Sequence, residues 1–290
     1  HDLREFGDDY DVTKRELRRR LGLLGEELNR LLAVQYGKNP DKLTEYPQWL
    51  ESHQPFHWFI EFYGIIQQGG FDVIIGNPPY LEYSQIKKKY SLVEEFVPYQ
   101  TNLYSACCYR AIKIKKQVGY AAFIVPVSMP STNRMQTLRK IISAGHTIYH
   151  IGFSTRPSKL FEGAEQRLTI YIQCPTKIEK VYSAGYIKWY QGERSHLFAN
   201  FYFVDSTYVF ERNNIWLKIR GSEQKIILEK MFKQPLLSQS PLILGHGQKL
   251  YYKNTGIRYF STVTLRPPQC WINGVQASSS RETILEVTPE

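Results

Sequence analysis

Phe71-Asp72-Val73-Ile74-Ile75-Gly76, continued by Asn77-Pro78-Pro79-Tyr80, is the stretch from which the rest of the chain can be read. The first six residues are a short apolar run behind Gly69-Gly70, the pattern of a buried parallel strand. The next four cannot continue it. Each proline fixes its own φ, biases the residue before it toward extended backbone and lacks an N–H. A stiff loop therefore follows the strand, at the end where open α/β sheets place their sites. The loop can present carbonyls that no ladder uses. The Asn77 side-chain oxygen and the Pro78 carbonyl can then both accept from one amino group.

That pair of acceptors suits an exocyclic aromatic amine, whose lone pair is delocalised into its ring. Acceptors on both protons favour localising the lone pair and disperse the positive charge that builds during attack on a methyl group. No strong base is needed beforehand. Tyr80 supplies a face on which a flipped-out base can stack, at about 1–3 kcal/mol. The bland alternative is a Pro-Pro turn with Tyr80 in a core. The ten-residue segment as a whole favours the chemical reading.

Working outward, Leu17, Leu21, Leu24, Leu28, Leu31 and Leu32 recur at helical spacing, predicting an amphipathic helix from about Thr13 to Gln35, ended by Asn39-Pro40. Arg18, Arg19 and Arg20 on it read more often as a solvated face than as a DNA contact. Downstream, Asn102 to Lys116 reads as helix and Gly119 to Pro126 as strand. Met135 to Ala144 follows as helix, then Thr147 to Phe153 and Arg167 to Gln173 as strands. Strands separated by such helices predict an open α/β sheet with right-handed crossovers. From about Ile178 the segments around Tyr186–Tyr190, Phe201–Phe210 and Leu250–Phe260 read as β or irregular, with one helix at Glu223–Phe232.

The formal net charge of +10, from 37 Lys and Arg against 27 Asp and Glu, suits a polyanionic partner. The 21 tyrosines add stacking surfaces, most of them expected in the core. Cys107, Cys108, Cys174 and Cys270 form no Cys-x-x-Cys pair, so neither a metal site nor a disulfide framework is read. No signal peptide is visible, and the longest apolar stretch, Gly119 to Val127, is too short to span a bilayer. A cytoplasmic protein with no membrane partner is the expectation. The chain opens on His1 rather than Met, a hint of a longer parent.

The segment Phe71–Tyr80 resembles motif IV of the gamma-class DNA adenine-N6 methyltransferases. Asn102-Leu103-Tyr104 looks like their motif V and Gly119–Pro126 like their motif VI. Leu160-Phe161 through Tyr171 is similar to motif VIII. The lead-in Phe56–Phe62 looks like that of the large restriction–modification (type IIG, Eco57I-like) or phage-defence members. Tyr251-Tyr252 through Arg258-Tyr259, Ile272-Asn273-Gly274 and Ser278-Ser279-Ser280 resemble the start of their target-recognition region. The resemblance implies double-stranded DNA with a flipped adenine as partner and S-adenosylmethionine as methyl donor. It makes Asn77, Pro78, Pro79 and Tyr80 catalytic, with Asn77 also touching the donor. Tyr80 and Phe161 would sandwich the base, although a core phenylalanine is as good a reading of Phe161.

The departures shape the expected architecture. The family's glycine-rich motif I and the acidic residue that holds the donor's ribose are not found upstream of Phe71. Cys107 stands where an aromatic is expected beside the donor's adenine. The resemblance therefore implies a partial Rossmann-like α/β sheet, later strands only, with one edge of the Phe71 strand unpaired and most of the donor site absent. Such a chain is expected to be inactive alone and to need a complementary N-terminal chain, or to work with a restriction subunit. The expected divisions are a helical insertion at 1–55, the C-terminal half of the catalytic domain at 56–180, a connecting β/α region at 181–245 and the start of a recognition domain at 246–290. Two alternatives stay open. One is a non-catalytic DNA-binding or assembly subunit. The other is a protein-glutamine methyltransferase, disfavoured by the roughly 110 residues after Ile178 because that class is compact.

Overall fold

The leucine spacing of the first segment produces one long helix, α1 (Asp2–Gln35). The structure is a computed structural model describing residues 2–91, 96, 102–163, 165–176, 178–199, 201–234, 248–253, 263–266, 270–277 and 282–287. Helix α1 packs on α2 (Glu45–His53) through Ala33, Tyr46 and Trp49, and Glu26 accepts from the Tyr46 hydroxyl at 2.8 Å. Arg19 and Arg20 are exposed, and both donate to Glu16 on their own helix, as a solvated face does.

Two short turns of helix, α3 (Trp58–Glu61) and α4 (Tyr63–Gln67), lead to Gly69 and Gly70. Gly70 has φ +108°, and a Cβ there would lie 2.3 Å from the Ile114 carbonyl oxygen. Only glycine lets the chain enter the sheet at this point.

The sheet is built from β1 (Phe71–Gly76), β2 (Lys115–Pro126), β3 (Thr147–Phe153), β4 (Leu168–Cys174), β5 (Lys180–Ile187) and β6 (Val204–Asp205). Helices α5 (Tyr83–Ile86) and α6 (Leu103–Ile114) link β1 to β2, α7 (Gln136–Ser143) links β2 to β3, and α8 (Thr207–Asn213) follows β6. The strand order is β1-β2-β4-β3-β5-β6. The fold is thus α/β with a mixed, Rossmann-like sheet. β1 pairs parallel with β2, and β3 parallel with β5.

Two expectations are corrected. β4 does not follow a helical crossover. It inserts antiparallel between β2 and β3. Residues 154–167 hold no helix among the described residues, and without a crossover helix the chain turns back on itself. The stretch from Phe201 to Phe210 is not mainly β either, because α8 occupies its second half. Asp205 Oδ1 accepts from the Thr207 backbone and hydroxyl at 2.9 and 2.6 Å to start that helix, and Asn214, at φ +50°, ends it.

Alternation along the strands sorts the core onto two faces. One holds Tyr104, Phe123, Leu138, Ile148, Tyr171 and Trp216, and the other Ile151, Phe153, Leu168 and Trp189. The sheet continues past residue 180 through β5 and β6, and the first compact unit ends at Ser222. Among the described residues β1 has β2 as its one strand partner, and Val73 and Ile75 are 55% and 79% exposed.

The second unit, residues 223–290, takes in nearly all of α9 (Ser222–Phe232). It also contains β7 (Gln248–Lys253), β8 (Val263–Thr264), β9 (Cys270–Ile272), β10 (Val275–Ala277) and β11 (Glu282–Val287). β7 lies between β11 and β8, antiparallel to both. Asn273 and Gly274, both at positive φ, close the β9–β10 hairpin. Tyr251 and Tyr252 fall on β7, Ile272 on β9 and Asn273-Gly274 in the turn after it. Arg258-Tyr259 and Ser278-Ser279-Ser280 lie outside the described residues. No helix among the described residues is long and apolar enough to cross a membrane.

Candidate functional site

Strand β1 delivers Asn77-Pro78-Pro79-Tyr80 to the C-terminal edge of the sheet, beside the Phe123 ring on β2. Gly76 is required for that approach, since a Cβ would lie 2.7 Å from Phe123 Cε1. Asn77 is exposed and Pro78 is buried. The Tyr80 hydroxyl donates to Asn77 Oδ1 and stands 3.1 Å from the Ile124 carbonyl, while its ring packs against both core clusters. Burial pushes the Tyr80 hydroxyl up to about 12, so it is a protonated donor at neutral pH.

The four-residue loop stands between two cavities that share no wall residue among the described residues. The first, about 580 Å³, is lined by Asn77 and Pro78 together with Ile74, Phe96, Leu103, Cys107, Arg110 and Phe123. It is a largely apolar slot between β1 and the outer face of α6. The Arg110 guanidinium lies 4.7 Å from the centre of the Phe96 ring, a cation–π pair at its side. Among the described residues its wall carries no carboxylate.

The second cavity, about 430 Å³, is lined by Tyr80, Glu82, Asn102, Pro126, Val127, Ser128 and Glu165 to Arg167. Its wall has more polar groups than that of the first. The Tyr104 hydroxyl bonds Ser128 Oγ at 3.1 Å and so ties α6 to the end of β2 beneath it. Burial pushes Tyr104 up to about 12 as well. Glu165 is paired with Lys159, which holds its carboxyl below the usual range.

The structure therefore brings Asn77, Pro78 and Tyr80 together and places Cys107 in the wall of the cavity that Asn77 also borders. Phe161 is 37% exposed and is not among the described residues of the Tyr80 cavity wall; Glu165, Gln166 and Arg167 represent its segment there. Sequence reasoning missed Phe96, Arg110 and Trp58, all of which line the apolar cavity. The three-residue spacing of Cys107 and Arg110 on one helix was the one available signal. Among the described residues no group of three His, Cys, Asp or Glu is arranged to hold a metal.

Known proteins resemble this chain as follows. The profile of the family described as Eco57I restriction-modification methylase matches residues 9–161. A candidate type II restriction enzyme and methyltransferase of Methanocaldococcus jannaschii is 36% identical over 104 residues, which are 36% of this chain and 9% of that protein. Among solved structures, a nuclease-deletion mutant of the type ISP restriction-modification enzyme LlaGI, in complex with a DNA substrate mimic, is 14% identical. That match covers 71% of this chain and 23% of LlaGI with a TM-score of 0.41. The DrdV–DNA complex matches 50% of this chain and 18% of its own at 18% identity and a TM-score of 0.35. The chain spans less than a quarter of the length of each of these proteins.

Proposed function

The chain belongs to the Eco57I restriction-modification methylase family, and from that premise we propose that its site methylates the N6 amine of an adenine turned out of double-stranded DNA. One observation carries the reading. Asn77-Pro78-Pro79-Tyr80 stands between a largely apolar cavity and one with more polar groups in its wall, with Asn77 and Pro78 on the first and Tyr80 on the second. Two reactants of different character then meet at one stiff loop.

The methyl donor is assigned to the apolar cavity. S-adenosylmethionine, when bound, supplies a methyl group on a sulfonium. The residues present fit its flat aromatic end: Phe96, Leu103, Cys107 and Arg110 offer apolar and cation-edged walls. Ribose hydroxyls would find no carboxylate among the described wall residues.

The target base is assigned to the Tyr80 cavity, with Phe161 as the second stacking ring. Asn77 Oδ1 already accepts from Tyr80, but a carbonyl oxygen has two lone pairs, so one remains for an amine proton. The Pro78 carbonyl takes the other. Both acceptors disperse charge as it builds on the nitrogen, and their fixed loop geometry requires little rearrangement.

The test is direct. The intact protein is incubated with duplex DNA and labelled donor, and the DNA is digested to nucleosides. N6-methyladenine is the expected product. A methylated cytosine, or label on protein instead of DNA, would replace this reading.

Tyr80→Ala should lose most of the 2-aminopurine fluorescence rise that reports base flipping, because about 1–3 kcal/mol of stacking disappears. Tyr80→Phe should keep that rise, since the ring remains. Equal losses in the two variants would show that the hydroxyl, bonded to Asn77, matters more than the ring face.

A further inference from the structure

A third cavity, about 600 Å³, adjoins the Tyr80 cavity, and Glu82, Asn102 and Ser128 line both. Its remaining wall is the loop after β2: Ser131, Thr132, Asn133, Arg134 and Met135. The loop is held from behind. Buried Arg139 donates to the Met129 and Thr132 carbonyls at 2.7 and 2.9 Å. The Trp216 backbone donates to the Pro130 carbonyl at 2.8 Å, and Thr132 Oγ1 to the Ser128 carbonyl at 2.9 Å. This backbone is fixed in place before any ligand arrives.

The charges around it are unbalanced. Lys218 reaches the loop from a distant part of the chain and donates Nζ to Ser131 Oγ at 3.3 Å. Arg167 stands on the rim of the Tyr80 cavity, close enough to Lys218 that its charge, after the effect of burial, holds the lysine below its usual range. Arg134 and Arg167 are exposed, and neither guanidinium makes a hydrogen bond or ion pair with another described residue. On the acidic side, Glu165 is already held by Lys159, which leaves Glu82 at the junction of the two cavities. The Arg134 guanidinium in the cavity wall and the Lys218 ammonium on Ser131, beside hydroxyls on a fixed loop, are complementary to an oxyanion.

Resting on the function proposed above, we propose that this loop seats a backbone phosphate next to the nucleotide that turns into the Tyr80 cavity, with Arg134 and Lys218 as its cations and Arg167 on the facing rim. Such a seat fixes the position of the strand and carries no sequence information. It would hold the sugar–phosphate chain while the base is out of the stack.

The experiment uses Arg134→Ala in the full chain, since an exposed side chain can be removed without disturbing the core. Duplex binding is titrated across a range of salt concentrations. Arg134→Ala should weaken binding about tenfold near 0.1 M salt and lower the slope of log K against log salt by about one. Arg134→Lys should recover part of both. Neutral methylphosphonates are then placed one at a time along a duplex that the protein methylates. At one position flanking the target adenine, wild type and Arg134→Ala should bind equally, which a free anion in the cavity would not produce. Unchanged affinity and slope in Arg134→Ala would overturn the proposal, as would a deficit that persists at every phosphonate position. If the slope falls by one while wild type makes no N6-methyladenine, the seat stands and the adenine reading is what fails.

Discussion

Asn77→Ala is expected to lower kcat for methyl transfer by about a hundredfold or more while leaving DNA affinity nearly unchanged. Losing one pre-organised polar contact to a developing charge has that typical cost. The structure sharpens the reason. Asn77 is exposed at the end of β1, borders the apolar cavity and accepts from Tyr80, so its side-chain oxygen joins the wall of one cavity to a wall residue of the other. Alanine would remove the acceptor and release the Tyr80 hydroxyl to the Ile124 carbonyl alone. Single-turnover rates measured with saturating donor isolate the chemical step. A variant that keeps more than about a tenth of the wild-type rate would show that the Pro78 carbonyl suffices, or that the amine is held elsewhere.

Arg139→Met should have the largest effect on stability. Arg139 is 1% exposed, and its guanidinium donates to the carbonyls of Asn214, Met129 and Thr132 at 2.7, 2.7 and 2.9 Å. Burial pulls its pKa down to about 10, yet it stays charged at neutral pH. Methionine fills a similar volume and leaves the Met129 and Asn214 carbonyls without this donor, while the Thr132 carbonyl keeps the Met135 N–H at 3.1 Å. At about 1–3 kcal/mol for each buried acceptor left unpaired, the loss is on the order of 3 kcal/mol or more. For a unit of this size that corresponds to a Tm fall of roughly 6–12 °C. Calorimetry checks it, and a fall under about 2 °C would mean that water or the loop itself satisfies the carbonyls.

The contrast between these residues shows what the sequence could and could not reveal. Strand β1 was legible because a continuous apolar run bounded by glycines has few other readings, and Asn77–Tyr80 because two prolines leave the backbone little choice. β3 was legible from the β-branched and aromatic residues Thr147, Ile148, Tyr149, Ile151 and Phe153. The direction of β4 was not, because alternation reports which face a residue takes and says nothing about which neighbour the strand pairs with. Helix α8 was missed because the aromatic β-formers of Phe201–Phe210 outweighed the start signal at Asp205-Ser206 and the C-cap Asn214. Arg139 reads in sequence as one more surface cation on an amphipathic helix. Its role appears only when Met129 and Asn214 are brought against it from both sides. Phe96 and Arg110 join the apolar cavity, and Lys218 reaches Ser131, through long-range packing that no local pattern encodes.

The loop between the cavities also has a kinetic meaning. Two pockets with no wall residue in common among the described residues let either reactant settle first without blocking the other's path. Under the proposed function, the steady-state mechanism is then random in order rather than compulsory. Each product should compete with its own precursor and not with the other reactant. The partition that aligns the reactants is also what keeps their arrivals independent.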